Sequence, residues 1–342
     1  MLHTIDPGIL FLQQEDQIKA GLLDMKKILA IAEKTYQYLG RGLIHNPPKT
    51  HLSIPAEGTW QSFFNTMPCH IAGEVNIAGV KWAAESKKNA LTPGIPYGID
   101  ISILSDPETV LPFCVLDGTI ITAMRTSAVG GLMAKYAAPK GTETVTLIGA
   151  GVIGRTMVMA VCEAIPTVKK IYLADLDVAK AEAIASDLSA QYGVEIVPTA
   201  DSKAASALSQ VTITETTART PFVDESWARP GTAIVAMSNE TTQGLVLKAD
   251  GICADYWAQM KTFPAKALTQ LYTAGKVQES DIHDLSEFAL GKPFRTSEDQ
   301  FLYCTSLGLG ALDIMVAYEL FLSAQKLGLG TPIKMWNQPL WE

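Results

Sequence analysis

The run Thr144-Val-Thr-Leu-Ile-Gly-Ala-Gly-Val-Ile-Gly154 constrains this chain more than any other segment. Its β-branched and aliphatic start has the composition of a buried strand, and it passes without interruption into Gly149-x-Gly151-x-x-Gly154. Glycines at this spacing suit a strand that closes in a tight turn and opens a helix. Gly149 permits the turn, Gly151 lets main chain approach a pyrophosphate, and Gly154 lets helix and strand pack closely. The N–H groups and dipole of the helix start, at Val152 and Ile153, favour a phosphate's negative charge. A second apolar run, Ile171-Tyr-Leu-Ala-Asp175, ends in an acid about 20 residues on, where a ribose-binding carboxylate belongs. A glycine triplet alone would fit any βα turn; strand, glycines, helix and acid in this order predict a dinucleotide site.

Asp175 also selects the dinucleotide. A carboxylate there accepts hydrogen bonds from the 2′- and 3′-hydroxyls of NAD. Against the 2′-phosphate of NADP at about 4 Å it would cost roughly 4 kcal/mol at an effective dielectric of about 20, falling towards ~1 kcal/mol with water and salt. Asp177 adds negative charge, and no Lys or Arg follows before Lys180. The expected cofactor is NAD.

The remaining chain is long enough, at 342 residues, for two domains. A net charge of −8 without any basic cluster speaks against nucleic acid or an anionic membrane as partner. Five scattered cysteines form no CxxC and stand near no His at metal-ligand spacing, so reduced thiols in a cytoplasmic protein and no metal are expected. The opening Met1-Leu-His-Thr-Ile-Asp-Pro7 lacks signal-peptide order, and the apolar stretch Leu307–Leu329 carries Asp313, Glu319 and Lys326, unlike a membrane span.

Periodicity predicts a helix over Asp16–Leu39, then strands at His51–Ile54, Trp60–Met67, Asn76–Ala83, Gly98–Leu104 and Leu111–Leu116, with a turn at Asp106-Pro-Glu-Thr. A small-residue helix over Ile120–Ala137 follows. From Thr144 strands and helices alternate through Thr232–Ala236, and a last long helix covers Leu307–Leu327. The expected fold is therefore α/β: a Rossmann doubly wound parallel sheet inserted into an α+β domain with a mainly antiparallel sheet. Residues 1–124 and 308–342 form the substrate domain, and 125–307 the dinucleotide domain. Ligands of such sheets lie at the carboxyl ends of the strands, with substrate contacts expected from the N-terminal domain and the linking helix.

Arg125 projects from a helix face made of Ile121, Thr122, Ala128 and Val129, so its guanidinium needs an anionic partner. That partner is either a substrate carboxylate or an Asp or Glu of the protein. Lys81, in Ile77-Ala-Gly-Val-Lys-Trp-Ala83, is either an interior proton shuttle and carboxylate ligand or an edge lysine in water. Lys49 follows Pro47-Pro48 and is a weaker candidate. Ser238, Asn239 and Glu240 end a predicted core strand and reach either nicotinamide and substrate or solvent; Thr214 and Thr216 end another. His70 reads as structural. The cofactor set is Gly149, Gly151, Val152, Ile153, Gly154, Asp175, Thr214, Thr216, Ser238 and Thr126; the catalytic set is Lys81, Arg125, Glu240 and Lys49.

Gly79-Val-Lys-Trp82, Met124-Arg-Thr-Ser-Ala128, Ile148–Gly154, Thr214-Glu-Thr-Thr217 and Cys304-Thr-Ser-Leu-Gly-Leu-Gly-Ala-Leu-Asp313 together resemble the ornithine cyclodeaminase/μ-crystallin family, over nearly the whole chain. The resemblance implies a homodimer built by the N-terminal domain, with NAD(P) in the second. It implies a carboxylate clamp at Lys81 and Arg125, with Lys49 near a third basic contact. It also implies oxidation of the Cα–N bond of an amino acid by hydride transfer to NAD, followed by hydrolysis or cyclisation of the imine. Cyclodeaminases of this family carry an Asp in a Gly-Asp-x-Pro-Gly-like loop; here the loop reads Ser238-Asn-Glu-Thr-Thr-Gln-Gly244, with Asn239 or Glu240 as stand-in. Met67–Glu74 and Ala254–Gln259 resemble the siderophore-precursor branch, which splits an N-carboxyalkyl glutamate-like amino acid. The expectation is an NAD(H)-dependent amino-acid or N-substituted amino-acid dehydrogenase. Ornithine cyclodeamination to proline, or a non-catalytic ligand-binding protein of μ-crystallin type, are the alternatives.

Overall fold

The computed structural model describes residues 8–54, 62–218 and 220–341; the opening heptad Met1–Pro7 and the first residues of the predicted strand Trp60–Met67, Trp60 and Gln61, lie outside them. Contacts divide the chain into two units. The first takes residues up to Asp24, Arg41–Arg125 and residues from Leu309 on; the second takes Met25–Gly40 and Thr126–Gly308. The division falls just after Arg125, inside the helix Thr119–Ala137.

The first unit is built on an eight-stranded sheet. Its strands are β1 (Gly8–Leu12), β2 (Ile44–His45), β3 (Thr50–Ile54), β4 (Ser62–Ile71), β5 (Ile77–Ser86), β6 (Gly98–Ser105), β7 (Pro112–Asp117) and a last strand Thr331–Lys334. That last strand pairs with β1, and the order continues β7, β6, β5, β4, β2, with β3 also on β4. Every pairing is antiparallel except β1 with β7. β4 runs four residues past the predicted end at Met67, through Pro68. A proline is tolerated there because β3 leaves β4 at Thr66 and β2 joins it at His70, so no partner on that edge needs the missing N–H.

The predicted helix Asp16–Leu39 is two helices, Gln14–Lys19 and Met25–Gly40, broken at Gly21, whose φ of +100° no helix accommodates. The second of them packs in the second unit, where Gln37 Nε2 donates to the Ala289 carbonyl. Sequence order alone had grouped it with the first.

The second unit holds β8 (Thr144–Ile148), β9 (Lys170–Ala174), β10 (Glu195–Thr199), β11 (Val211–Thr214), β12 (Ala233–Ala236), β13 (Gly251–Ala254), β14 (Ile282–Asp284) and β15 (Leu302–Thr305). They form one parallel sheet in the order β10-β9-β8-β11-β12-β15-β13-β14. The order reverses between β8 and β11, the switch point where open parallel sheets take ligands. β11, β12 and β15 are buried at every residue, as strands covered on both faces must be. No helix among the described residues is long and apolar enough to cross a membrane.

In the first unit the helix Gly310–Leu327 packs on β4, β5 and β6. Two glycines set how near it comes: a Cβ at Gly79 would stand 2.8 Å from Ile314 Cδ1, and one at Gly310 would stand 2.5 Å from the Met67 carbonyl oxygen. Asn46 Oδ1 accepts from the Ala311 N–H, tying down the helix start. Gly310→Ala should therefore force helix and sheet apart and cost about 1–3 kcal/mol, a typical overpacking penalty. Chemical denaturation would show it as a lower midpoint; an unchanged or higher midpoint would mean the contact yields freely.

Candidate active site

β5 and the helix Gly310–Leu327 bring four charged side chains of the first unit together. Lys81, 2% exposed, points from β5 under the helix. Its ammonium donates to Thr122 Oγ1 (2.6 Å) and pairs with Asp100 Oδ2 and Asp313 Oδ1, each at 3.1 Å. Thr122 in turn donates to Asp100 Oδ2. Arg125 Nε donates to the same Asp313 Oδ1 at 3.1 Å. Asp313 is wholly buried in the first turn of its helix, where the dipole favours negative charge. Asp313 is a protein carboxylate beside Arg125, and Lys81 is an interior lysine rather than an edge one.

Asp100 and Asp313 were not among the sequence candidates. Each carries a legible signal: an acid inside Gly310-Ala-Leu-Asp-Ile-Met-Val316, and one inside the isoleucine alternation of β6. Burial and the neighbouring charge of Asp100 push the Glu85 carboxyl above the ordinary range, and Lys81 and the half-buried Lys49 offset part of that by favouring its ionised form. His70 contacts Asn76 and takes no part in the cluster.

The glycine turn of the second unit shows three separate constraints. Gly149 has φ +114°, and a Cβ there would lie 2.0 Å from the Glu215 carbonyl oxygen. A Cβ at Gly154 would lie 2.0 Å from the Gly149 carbonyl oxygen, while one at Gly151 meets nothing within 4 Å. Gly149 and Gly154 thus close the turn on itself, and Gly151 leaves open main chain at the start of the helix Val152–Ala164. Asp175 Oδ2 accepts from the Ala150 N–H (2.7 Å) and Oδ1 from Asp177 N–H (2.8 Å), fixing the carboxylate beside the turn. Lys180 is paired with Asp177 at 3.7 Å. An open turn, a helix start and a fixed acid suit the pyrophosphate and adenosine ribose of NAD. Thr126 is half-buried in the linking helix, one residue past Arg125.

Three sequence candidates take a different part. Glu240 is wholly buried, and its carboxylate accepts from Thr214 Oγ1 (3.1 Å), Thr216 N–H (2.7 Å), Thr216 Oγ1 (3.0 Å) and Ser238 N–H (3.2 Å). It pins the loop after β11 to the loop after β12, so it is not available as an acid/base or as a ligand for a side-chain amine. Thr214 and Thr216 donate their hydroxyls to Glu240. Their polar composition suggested a ligand; the neighbouring loop's carboxylate is what they bind. Lys266, missed in the sequence, completes the pin: buried, it donates to the carbonyls of Ser238 (2.7 Å) and Met237 (3.4 Å), and burial holds its ammonium below the ordinary lysine range.

Residues 11–325 match the model of the ornithine cyclodeaminase/mu-crystallin family. N-((2S)-2-amino-2-carboxyethyl)-L-glutamate dehydrogenase of Staphylococcus aureus is 30% identical over 275 residues, 79% of this chain and 81% of that protein. Among solved structures, Thermococcus litoralis Δ1-pyrroline-2-carboxylate reductase in complex with NADH and L-proline superposes with a TM-score of 0.84, 28% identity, and coverage of 94% of this chain and 99% of that one. An archaeal alanine dehydrogenase dimer with bound NAD gives 0.83, 26% identity, 96% and 100%.

Asp175 generates a prediction. Asp175→Asn keeps an acceptor for Ala150 N–H and removes the charge, so the preference for NADH over NADPH should narrow by roughly tenfold. Fluorescence titration of both reduced cofactors reads it directly; an unaltered ratio would place cofactor selection elsewhere.

Proposed function

Because this chain belongs to the ornithine cyclodeaminase/mu-crystallin family, we propose that it is an NAD(H)-dependent oxidoreductase of the Cα–N bond of an L-amino acid or N-substituted amino acid. The observation that carries the reading is the buried Lys81–Asp313–Arg125 cluster, in a chain whose second unit presents an open glycine turn and a fixed ribose acid. The names of the relatives support it: an N-substituted glutamate dehydrogenase, an alanine dehydrogenase holding NAD, and an imino-acid reductase holding NADH. The medium implied is cytoplasmic.

Gly149, Gly151, Val152, Ile153, Gly154 and Asp175 hold the cofactor, with Ser238 and Thr126 near it. Held there, NAD would supply the acceptor for the hydride that leaves the substrate's Cα. Arg125 and Lys81 hold the substrate carboxylate, with Lys49 as a further positive charge nearby, so that Cα is oriented for transfer; orientation is the main contribution of such a clamp. The nitrogen loses a proton as the C–N bond becomes an imine, and water then hydrolyses the imine to an oxoacid and an amine. The hydrogen bonds from Lys81 to Thr122 and from Thr122 to Asp100 offer a route by which that proton leaves. With Glu240 engaged inside the protein, Asn239, whose Oδ1 is buried without a partner and carries no charge, is the stand-in left for gripping ornithine's side-chain amine.

A second copy of the chain covers the outer face of the first unit's sheet. Leu52, Phe64, Ala84 and Ile99 form one row across β3, β4, β5 and β6, and Trp82 lies beside Ile101 in the next. Leu52 is 53%, Ile101 44% and Trp82 42% exposed, an apolar face of the kind that marks an interface. The dimeric state of the archaeal alanine dehydrogenase supports this occupant.

Two outcomes are expected. Incubated with NAD and a panel that includes L-alanine, L-glutamate, L-proline, L-ornithine and N-carboxyalkyl glutamates, the protein should generate absorbance of reduced nicotinamide. Arg125→Ala should lower kcat/KM by about 100-fold or more while NADH still binds, since a charged hydrogen-bonded contact is worth roughly 1.5–3 kcal/mol. No turnover across the panel, or loss of NADH binding in the variant, would sink the assignment. For assembly, Ile101→Glu should convert a dimer into a monomer in analytical ultracentrifugation; a monomeric unaltered protein would refute the shared face.

A further inference from the structure

The cluster around Lys81 holds two polar atoms that nothing in the described structure satisfies. Asp313 Oδ2 and Ser102 Oγ are both buried without a hydrogen-bond partner. Both adjoin Lys81: Ser102 is its cross-strand neighbour on β6, and Asp313 is its ion-pair partner. A buried carboxylate oxygen without a donor is costly, the more so in a helix that packs too tightly to let the side chain swing out.

Charge narrows what completes it. Lys81 and Arg125 are matched by Asp100 and Asp313, and the nearby Lys49 by Glu85, so the formal charges of the six side chains cancel. A plain carboxylate ligand arriving here, such as a 2-hydroxy or 2-oxo acid, adds one uncompensated negative charge in a buried setting. An amino acid brings its own cation and adds none, and its ammonium carries the N–H donors that Asp313 Oδ2 lacks.

We infer that Asp313 is the residue that selects an amino acid by receiving its α-ammonium, or the secondary ammonium of an N-substituted one, on Oδ2, while Oδ1 holds Lys81 and Arg125 for the carboxylate. This rests on the amino-acid reading proposed above and adds to it the basis of discrimination against hydroxy and oxo acids. The same oxygen receives a protonated imine in the reverse direction, since that group is also a cationic N–H donor.

The test pairs each amino acid with its hydroxy-acid isostere, L-alanine with L-lactate and L-glutamate with L-2-hydroxyglutarate, in calorimetric titrations of the NADH-loaded protein. The unaltered protein should bind each amino acid more tightly than its partner. Asp313→Asn should weaken the amino acids by roughly 10–100-fold, as expected for one lost charged hydrogen bond, and tighten the hydroxy acids, because the cluster gains a net positive charge. Opposite shifts are the signature that a merely structural role does not produce. Equal loss for both members of each pair, the pattern expected if a water satisfies Oδ2, overturns the inference. So does an unaltered protein that binds the hydroxy acids as tightly as the amino acids, a comparison that holds whether or not the variant folds. NADH formation from amino acids together with an unchanged ratio in Asp313→Asn keeps the proposed activity and ends this inference.

Discussion

A single carboxylate oxygen, Asp313 Oδ1, accepts from both Lys81 and Arg125, and the first unit is arranged around that contact. Two cations this close in a buried setting would repel and be strongly destabilised without it. The contact in turn depends on a small residue: a side chain at Gly310 would strike the Met67 carbonyl oxygen and hold the helix start away from β4. Buried ion pairs are poor sources of stability, because desolvation offsets most of their attraction. Their presence here is better understood through what a prearranged set of charges does to an incoming charged group.

The second unit uses a similar device for a different purpose. Glu240 gathers four donors from the loops after β11 and β12, and Lys266 holds the carbonyls of the latter loop. The carboxyl edge of the parallel sheet is thereby stiffened from within. The glycine turn is likewise packed from within, since Gly154 leaves room for the carbonyl oxygen of Gly149 and Gly149 for that of Glu215 in the loop after β11, each of which a methyl group would strike. Residues that read as ligand-facing from composition, Thr214 and Thr216 among them, are the internal fastenings of this edge. The residues that stay open to a ligand are Gly151 and the exposed start of the following helix.

β6 shows where reading along the chain stops short. Its alternation Ile99-Asp-Ile-Ser-Ile-Leu104 would ordinarily turn isoleucines inward and polar groups to water. In the structure Asp100 and Ser102 face the interior beside Lys81, while Ile99 and Ile101 lie on the outer face. The inversion has a physical cause: the buried side already holds Lys81 and needs polar partners, and the outer side is apolar because it forms part of a wider hydrophobic surface. Period-2 alternation identifies the strand and cannot say which face is the interior. β13, β14 and β15 are runs of three or four residues, too short for any alternation to mark them as strands.

Local chemistry, then, was decided by the sequence itself. Glycine spacing prescribed the turn at Gly149–Gly154, β-branched runs prescribed β8 and β9, and the acid closing the second run put Asp175 beside that turn, because each effect acts over a few neighbouring residues. The pairing of Arg125 with Asp313, of Lys81 with Asp100 and of Thr214 with Glu240 was decided by the tertiary structure. These partners stand 188, 19 and 26 positions apart, and a buried charge specifies that it must be met without specifying by what; strand pairing, helix packing and loop contacts made that choice.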